Sequence, residues 1–288
     1  MKVSTVWIGF LLLCGVLPDV RAQSLNAPES VEFHPRSGRT LVSNQAAGEI
    51  LWRATNGALS TFTSDPTSPY GIELLHGVLY AVDSGHLKGY DIDTSVKVLD
   101  VTIAGASFLN GITSDGDHRL YLTDFSAKKL IRVDVADLLN PVQTPLATLT
   151  QTPNGVVFDR AVNRLLISTW GSAPAVLSYD IAAATAPGVL VNVTGYSNID
   201  GITLGCNGSL FLTPWTCVGG GCLIRIDPPF SLTSSASVVA PGLNKPADID
   251  FSNRSGEVAI PQAVSGAGQV TLVASGCEAA LFTDDFER

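Results

Sequence analysis

Pro153-Asn154-Gly155-Val156, Leu165-Leu166-Ile167-Ser168 and Tyr179-Asp180 are three short runs of β-branched and large apolar residues, parted by turn formers. Runs this short, bounded by Asn, Asp, Gly and Pro, are strands rather than helices. The same opening recurs along the chain every forty-odd residues, as Pro28-Glu29-Ser30-Val31, Pro69-Tyr70-Gly71-Ile72, Leu109-Asn110-Gly111-Ile112, Ile199-Asp200-Gly201-Ile202 and Pro246-Ala247-Asp248-Ile249. Second runs follow, such as Leu120 to Thr123 and Leu210 to Thr213, and third runs end at Asp91, Asp134, Asp180 and Asp227. A fixed period of this length with three or four strands in each repeat predicts stacked sheets around an axis. The expected fold is all-β: a six-bladed propeller of four-stranded antiparallel blades, residues 23–275, with blades opening near 28, 69, 109, 153, 199 and 246. A β-sandwich with a second domain is the alternative, and the even period argues against it.

The chain has 288 residues, 45% of them hydrophobic, with 17 Lys and Arg against 26 Asp and Glu and a net charge of −9. That balance offers nothing to a phosphate backbone or an anionic lipid surface, so nucleic acid is excluded as a partner. Lys2, the apolar stretch from Val6 to Leu17 and Val20-Arg21-Ala22 read as a secretory signal peptide over residues 1–22. No later run is long enough to span a bilayer, and a secreted or periplasmic location is expected. Four cysteines remain. An even number in an exported chain reads as disulfides, Cys217 with Cys222 across a glycine loop, and Cys206 with Cys277 by elimination. Residues 276–288 form a C-terminal tail.

In an antiparallel meander, the start of a blade's first strand and the end of its second lie at one end of the sheet. Six residues therefore ring the channel on one face: Glu29, Tyr70, Asn110, Asn154, Asp200 and Ala247. Second-strand ends, among them Asp124, Trp170 and Trp215, lie further out. Convergent carboxylate and amide oxygens are hard ligands suited to a divalent cation, with Ca²⁺ the best match. The competing reading is that Asn-Gly and Asp-Gly merely shape turns. Glu29 resists it, because Glu is a poor turn former. The four histidines share no register and read as surface residues.

With Leu41 to Asn44, Thr169-Trp170-Gly171 and Ile260-Pro261, these openings resemble the gluconolactonase / senescence marker protein (regucalcin) family of six-bladed propellers. The resemblance implies metal ligands at Glu29, Asn154 and Asp200, substrate contact at Asn110, and Asp200 as general base. The chain departs from the family's pattern at Ser30-Val31, in place of Gly-Pro, and at Phe108, in place of an arginine that would contact substrate in bidentate fashion. The expected activity is metal-dependent hydrolysis of a lactone or ester, with Tyr70, Asn110, Asp124, Trp170 and Trp215 shaping specificity. The alternative is a non-catalytic, calcium-stabilised secreted propeller that binds a small ligand or protein on the same face.

Overall fold

The computed structural model describes residues 23–276. The expected signal peptide and all but the first residue of the expected tail lie outside them, as does Cys277. Apart from two single-turn 3-10 segments, every regular element is a strand, and the strands form six separate antiparallel sheets in chain order. Five sheets have four strands. The sixth has three among the described residues, Asp250–Ser252, Glu257–Gln262 and Gln269–Ala274, where four were expected. The molecule is a six-bladed β-propeller.

Each sheet must bury both faces, and the burial of its strands follows from that. The second strands, such as Thr40–Asn44 and Val78–Asp83, lie between neighbouring sheets and are buried almost throughout. The outermost strands, such as Lys97–Thr102 and Val142–Thr148, are largely exposed and carry polar side chains. This gradient is why the second runs read in sequence as continuous apolar blocks rather than as alternating ones.

The core is correspondingly divided into six clusters, one at each junction between blades. At the junction of blades 2 and 3, Leu75, Tyr80 and Leu87 meet Leu109, Leu120 and Ile131. The junction that closes the ring is the poorest in apolar residues, with Leu25, Val31, Val42 and Leu51 against Ala259. Polar bonds supplement it. The Ala27 N–H donates to the Val264 carbonyl at 3.1 Å, Gly268 N–H to Leu25 at 3.2 Å, and Asp248 N–H to Glu29 at 2.9 Å. No strand is shared between blades 1 and 6 among the described residues, so side-by-side packing closes the ring.

Candidate functional site at the channel axis

The innermost strands are Pro28–Phe33, Pro69–Leu75, Leu109–Ser114, Thr152–Asp159, Ser197–Leu204 and, in the last blade, Asp250–Ser252 with Pro246 bridged to Gln262. Glycines directly after the ring residues Tyr70, Asn110, Asn154 and Asp200 let the next blade come close. A Cβ on Gly71, Gly111, Gly155 or Gly201 would meet the backbone oxygen of Asn110, Asn154, Asp200 or Ala247 at 2.5, 2.6, 2.8 or 2.7 Å. Side-chain hydroxyls then stitch the ring. The Thr123 hydroxyl donates to the Asn154 carbonyl, Ser168 to Asp200 at 2.9 Å and Thr213 to Ala247 at 2.8 Å. Asn110-Gly111, Asn154-Gly155 and Asp200-Gly201 therefore lie inside strands, and the glycines serve close backbone approach rather than turns.

The stitched carbonyls hold Asn154, Asp200 and Ala247 in a common register, and Asp200 feels the charge of Glu29 from blade 1. Burial, then the charges of Glu29 and Asp248, push the Asp200 carboxyl well above its usual range, against a smaller opposing contribution from the Trp215 indole. Glu29 is raised to about 7, by burial and then by Asp248, with Lys245 opposing. Asp248 is raised to about 7 by burial, although the Ser30 hydroxyl donates to it at 2.9 Å. Asp248 stands one residue beyond Ala247, which contributes no oxygen. It was missed because Ala247, not its neighbour, holds the repeated position. Tyr70, half-buried, has its phenol raised by burial and then by Glu29.

Asn154 is 2% exposed, and its Oδ1 has no hydrogen-bond partner. A buried amide oxygen left unpaired costs roughly 1 to 3 kcal/mol. It sits on the blade next to Asp200, whose carboxyl feels the charges of Glu29 and Asp248, and amide and carboxylate oxygens are the donors a hard cation takes, so the residues fit such an ion. Among the described residues no group of three or more His, Cys, Asp and Glu side chains converges as a metal cluster. Any cation here therefore draws on the amide as well as on the acids.

Outside these oxygens runs an arc of touching aromatic rings. Tyr70 meets Phe108 with centroids 4.8 Å apart, Phe108 meets Phe125 at 5.5 Å, Phe125 meets Trp170 at 6.0 Å, and Trp170 meets Trp215 at 4.9 Å. The Lys245 ammonium caps the arc, 5.5 Å from the Trp215 ring. All five rings are half-buried. Phe125 pairs through its N–H with the Phe108 carbonyl at 2.8 Å.

Asp124 does not join this surface, contrary to its expected contact with substrate. It is fully buried, and its carboxylate accepts the N–H groups of Ser107, Phe108 and Ala127 at 2.6, 3.1 and 2.7 Å. Its role is to hold the loops that present Phe108 and Phe125. Asp83 does the same for Thr67 and Ser68, and Asn44 for Asn26. In blades 4 and 5 the equivalent register is filled by Thr169 and Pro214, which leaves Trp170 and Trp215 one residue further along. The Cys217–Cys222 disulfide closes the hairpin directly after Trp215. Cys206 is not a free thiol.

A second tier of acids lies three residues beyond the ring. Glu32, Glu73 and Asp250 line a cavity of about 170 Å³ with Thr113, Thr203 and Asp248. Each binds the next blade: Glu73 accepts the Ser114 N–H at 3.0 Å, Asp250 that of Phe33 at 2.8 Å, and Glu32 that of Leu74. Burial raises Glu73 to about 8 and Asp250 to about 6. The sequence held the signal, a repeated register three residues after Glu29 and Tyr70, but only the first ring was aligned. The histidines stand apart from both tiers; His86 and His118 pair with surface aspartates.

No family model matches the sequence, and neither does any curated protein. Solved structures share the fold. A gluconolactonase from Xanthomonas campestris superposes with a TM-score of 0.70 at 14% identity, over 88% of this chain and 87% of that one. A luciferin-regenerating enzyme gives 0.66 at 12% identity, over 87% and 92%. A chain of a nidogen/laminin complex gives 0.63 at 13% identity, over 83% and 99%. A gluconolactonase and a chain of a nidogen/laminin complex thus share this architecture, and the fold alone does not separate their roles.

Proposed function

We propose that the chain is a metal-dependent hydrolase of a lactone or ester, of the gluconolactonase type, with a divalent cation, Ca²⁺ by donor chemistry, held by Glu29, Asn154 and Asp200. The observation that carries this reading is the unpartnered Asn154 Oδ1, buried on the blade next to Asp200. A cation bound there supplies Lewis-acid polarisation of the substrate carbonyl. Asp200 takes the proton from the attacking water, its carboxyl held above the usual range by burial and by the charges of Glu29 and Asp248. Asn110 and the Tyr70 hydroxyl orient the substrate from the adjacent blades. Asp248 adds negative charge that strengthens retention of the ion. Likeness of fold to a gluconolactonase supports the reaction class.

The test is a pH-stat assay of the purified protein on a panel of lactones with added Ca²⁺ or Mn²⁺, run beside Asp200→Asn. We expect acid release that depends on metal and falls at least a hundredfold in the variant. Metal-independent turnover, or full activity in Asp200→Asn, contradicts the mechanism. Absence of turnover on every lactone and ester leaves a binding propeller.

A further inference from the structure

We infer that the site takes a lactone or ester bearing an apolar aryl or alkyl tail, rather than a polyhydroxylated sugar lactone. The inference rests on the hydrolase reading for the reacting group, and on the aromatic arc for the rest of the molecule. Tyr70, Phe108, Phe125, Trp170 and Trp215 come from four consecutive blades and touch edge to face. Buried Asp124 accepts the Phe108 N–H and those of Ser107 and Ala127, and the Phe108 carbonyl accepts the Phe125 N–H, so the segments that carry both rings are fixed. Evenly spaced hydroxyls on a ligand need donors and acceptors in return, and these five rings supply only the Tyr70 phenol and the Trp215 and Trp170 indole N–H groups. The indole N–H of Trp215 is itself buried. An apolar tail needs only to leave water, and half-buried rings offer it that surface. Lys245 covers the Trp215 end of the arc, so the tail lies along the Tyr70–Phe108–Phe125–Trp170 stretch, with the carbonyl over the axial oxygens.

The experiment has two arms. In the first, kcat/KM is measured with metal for γ-lactones of increasing alkyl chain, for an aryl-substituted γ-lactone and for glucono-δ-lactone. Each added methylene should raise kcat/KM about threefold until the tail outruns the arc. Phe108→Arg should flatten that series and improve the sugar lactone; Phe108→Leu should retain most of the tail preference and shows that the position tolerates change. In the second, tryptophan fluorescence follows binding of the γ-lactam counterpart of the octyl-substituted lactone, which cannot be turned over as an ester. Tail-dependent quenching that weakens about tenfold in Phe108→Arg supports the inference even if no lactone is hydrolysed, in which case the hydrolase reading alone fails. Turnover that ignores tail length or favours glucono-δ-lactone, or lactam binding unchanged in Phe108→Arg, overturns it.

Discussion

Asp124 and Asp200 show how one residue type is put to opposite uses by its surroundings. Both are buried, but Asp124 accepts three backbone N–H groups, whereas Asp200 faces two other carboxylates. Replacing Asp124 by Ala strands those donors in the interior and should cost about 2 to 4 kcal/mol in urea unfolding, with a smaller loss for Asp124→Asn. A variant within 0.5 kcal/mol of wild type would show that the loop holds without it. From sequence the two aspartates look alike, since both close or open a strand near the same face. What separates them is whether backbone donors or other acids lie within reach, and that depends on contacts between segments far apart in the chain. The shared register of Glu29, Asn154 and Asp200 was legible because the blade openings repeat. Asp248 was not, because Ala247 holds the repeated position in its blade and Asp248 stands one residue beyond it.

Among elements, the innermost strands carry two tiers of oxygens three residues apart, and the second tier joins blades through carboxylates. Glu73 titrates near 8 in the folded protein against 4.5 in an unfolded chain, and Asp250 near 6 against 3.8. In the windows between those values the folded state holds protons that the unfolded state has released. The stability these groups lend is therefore full at low pH and is lost as pH rises, from about 4 to 6 for Asp250 and 4.5 to about 8 for Glu73. Thermal melts should shift downward between pH 5 and pH 8 in the absence of divalent metal. Glu73→Gln, which keeps an acceptor for the Ser114 N–H, should flatten the upper part of that slope. An unchanged slope in the variant would assign the pH dependence elsewhere. The strands themselves were readable from composition and turn residues.

For the whole molecule, six small cores replace one large one, and the ring must close before the axial oxygens meet. The junction of blades 6 and 1, poorest in apolar side chains, brings Glu29 to Asp248, and the Asp248 N–H bonds the Glu29 carbonyl. A cation at the axis would bind only the closed ring, so it would add stability by mass action, about 2.7 kcal/mol at a hundredfold excess over its dissociation constant. The period of the chain made this architecture foreseeable. Convergence of side chains on the axis is a matter of three dimensions, and it carries the central claim. The direct test is calorimetric titration of Ca²⁺ into the metal-stripped protein. The account predicts one ion bound per chain, lost in Asp200→Asn and retained in Glu73→Gln; no binding, or binding that survives Asp200→Asn but vanishes in Glu73→Gln, would contradict it.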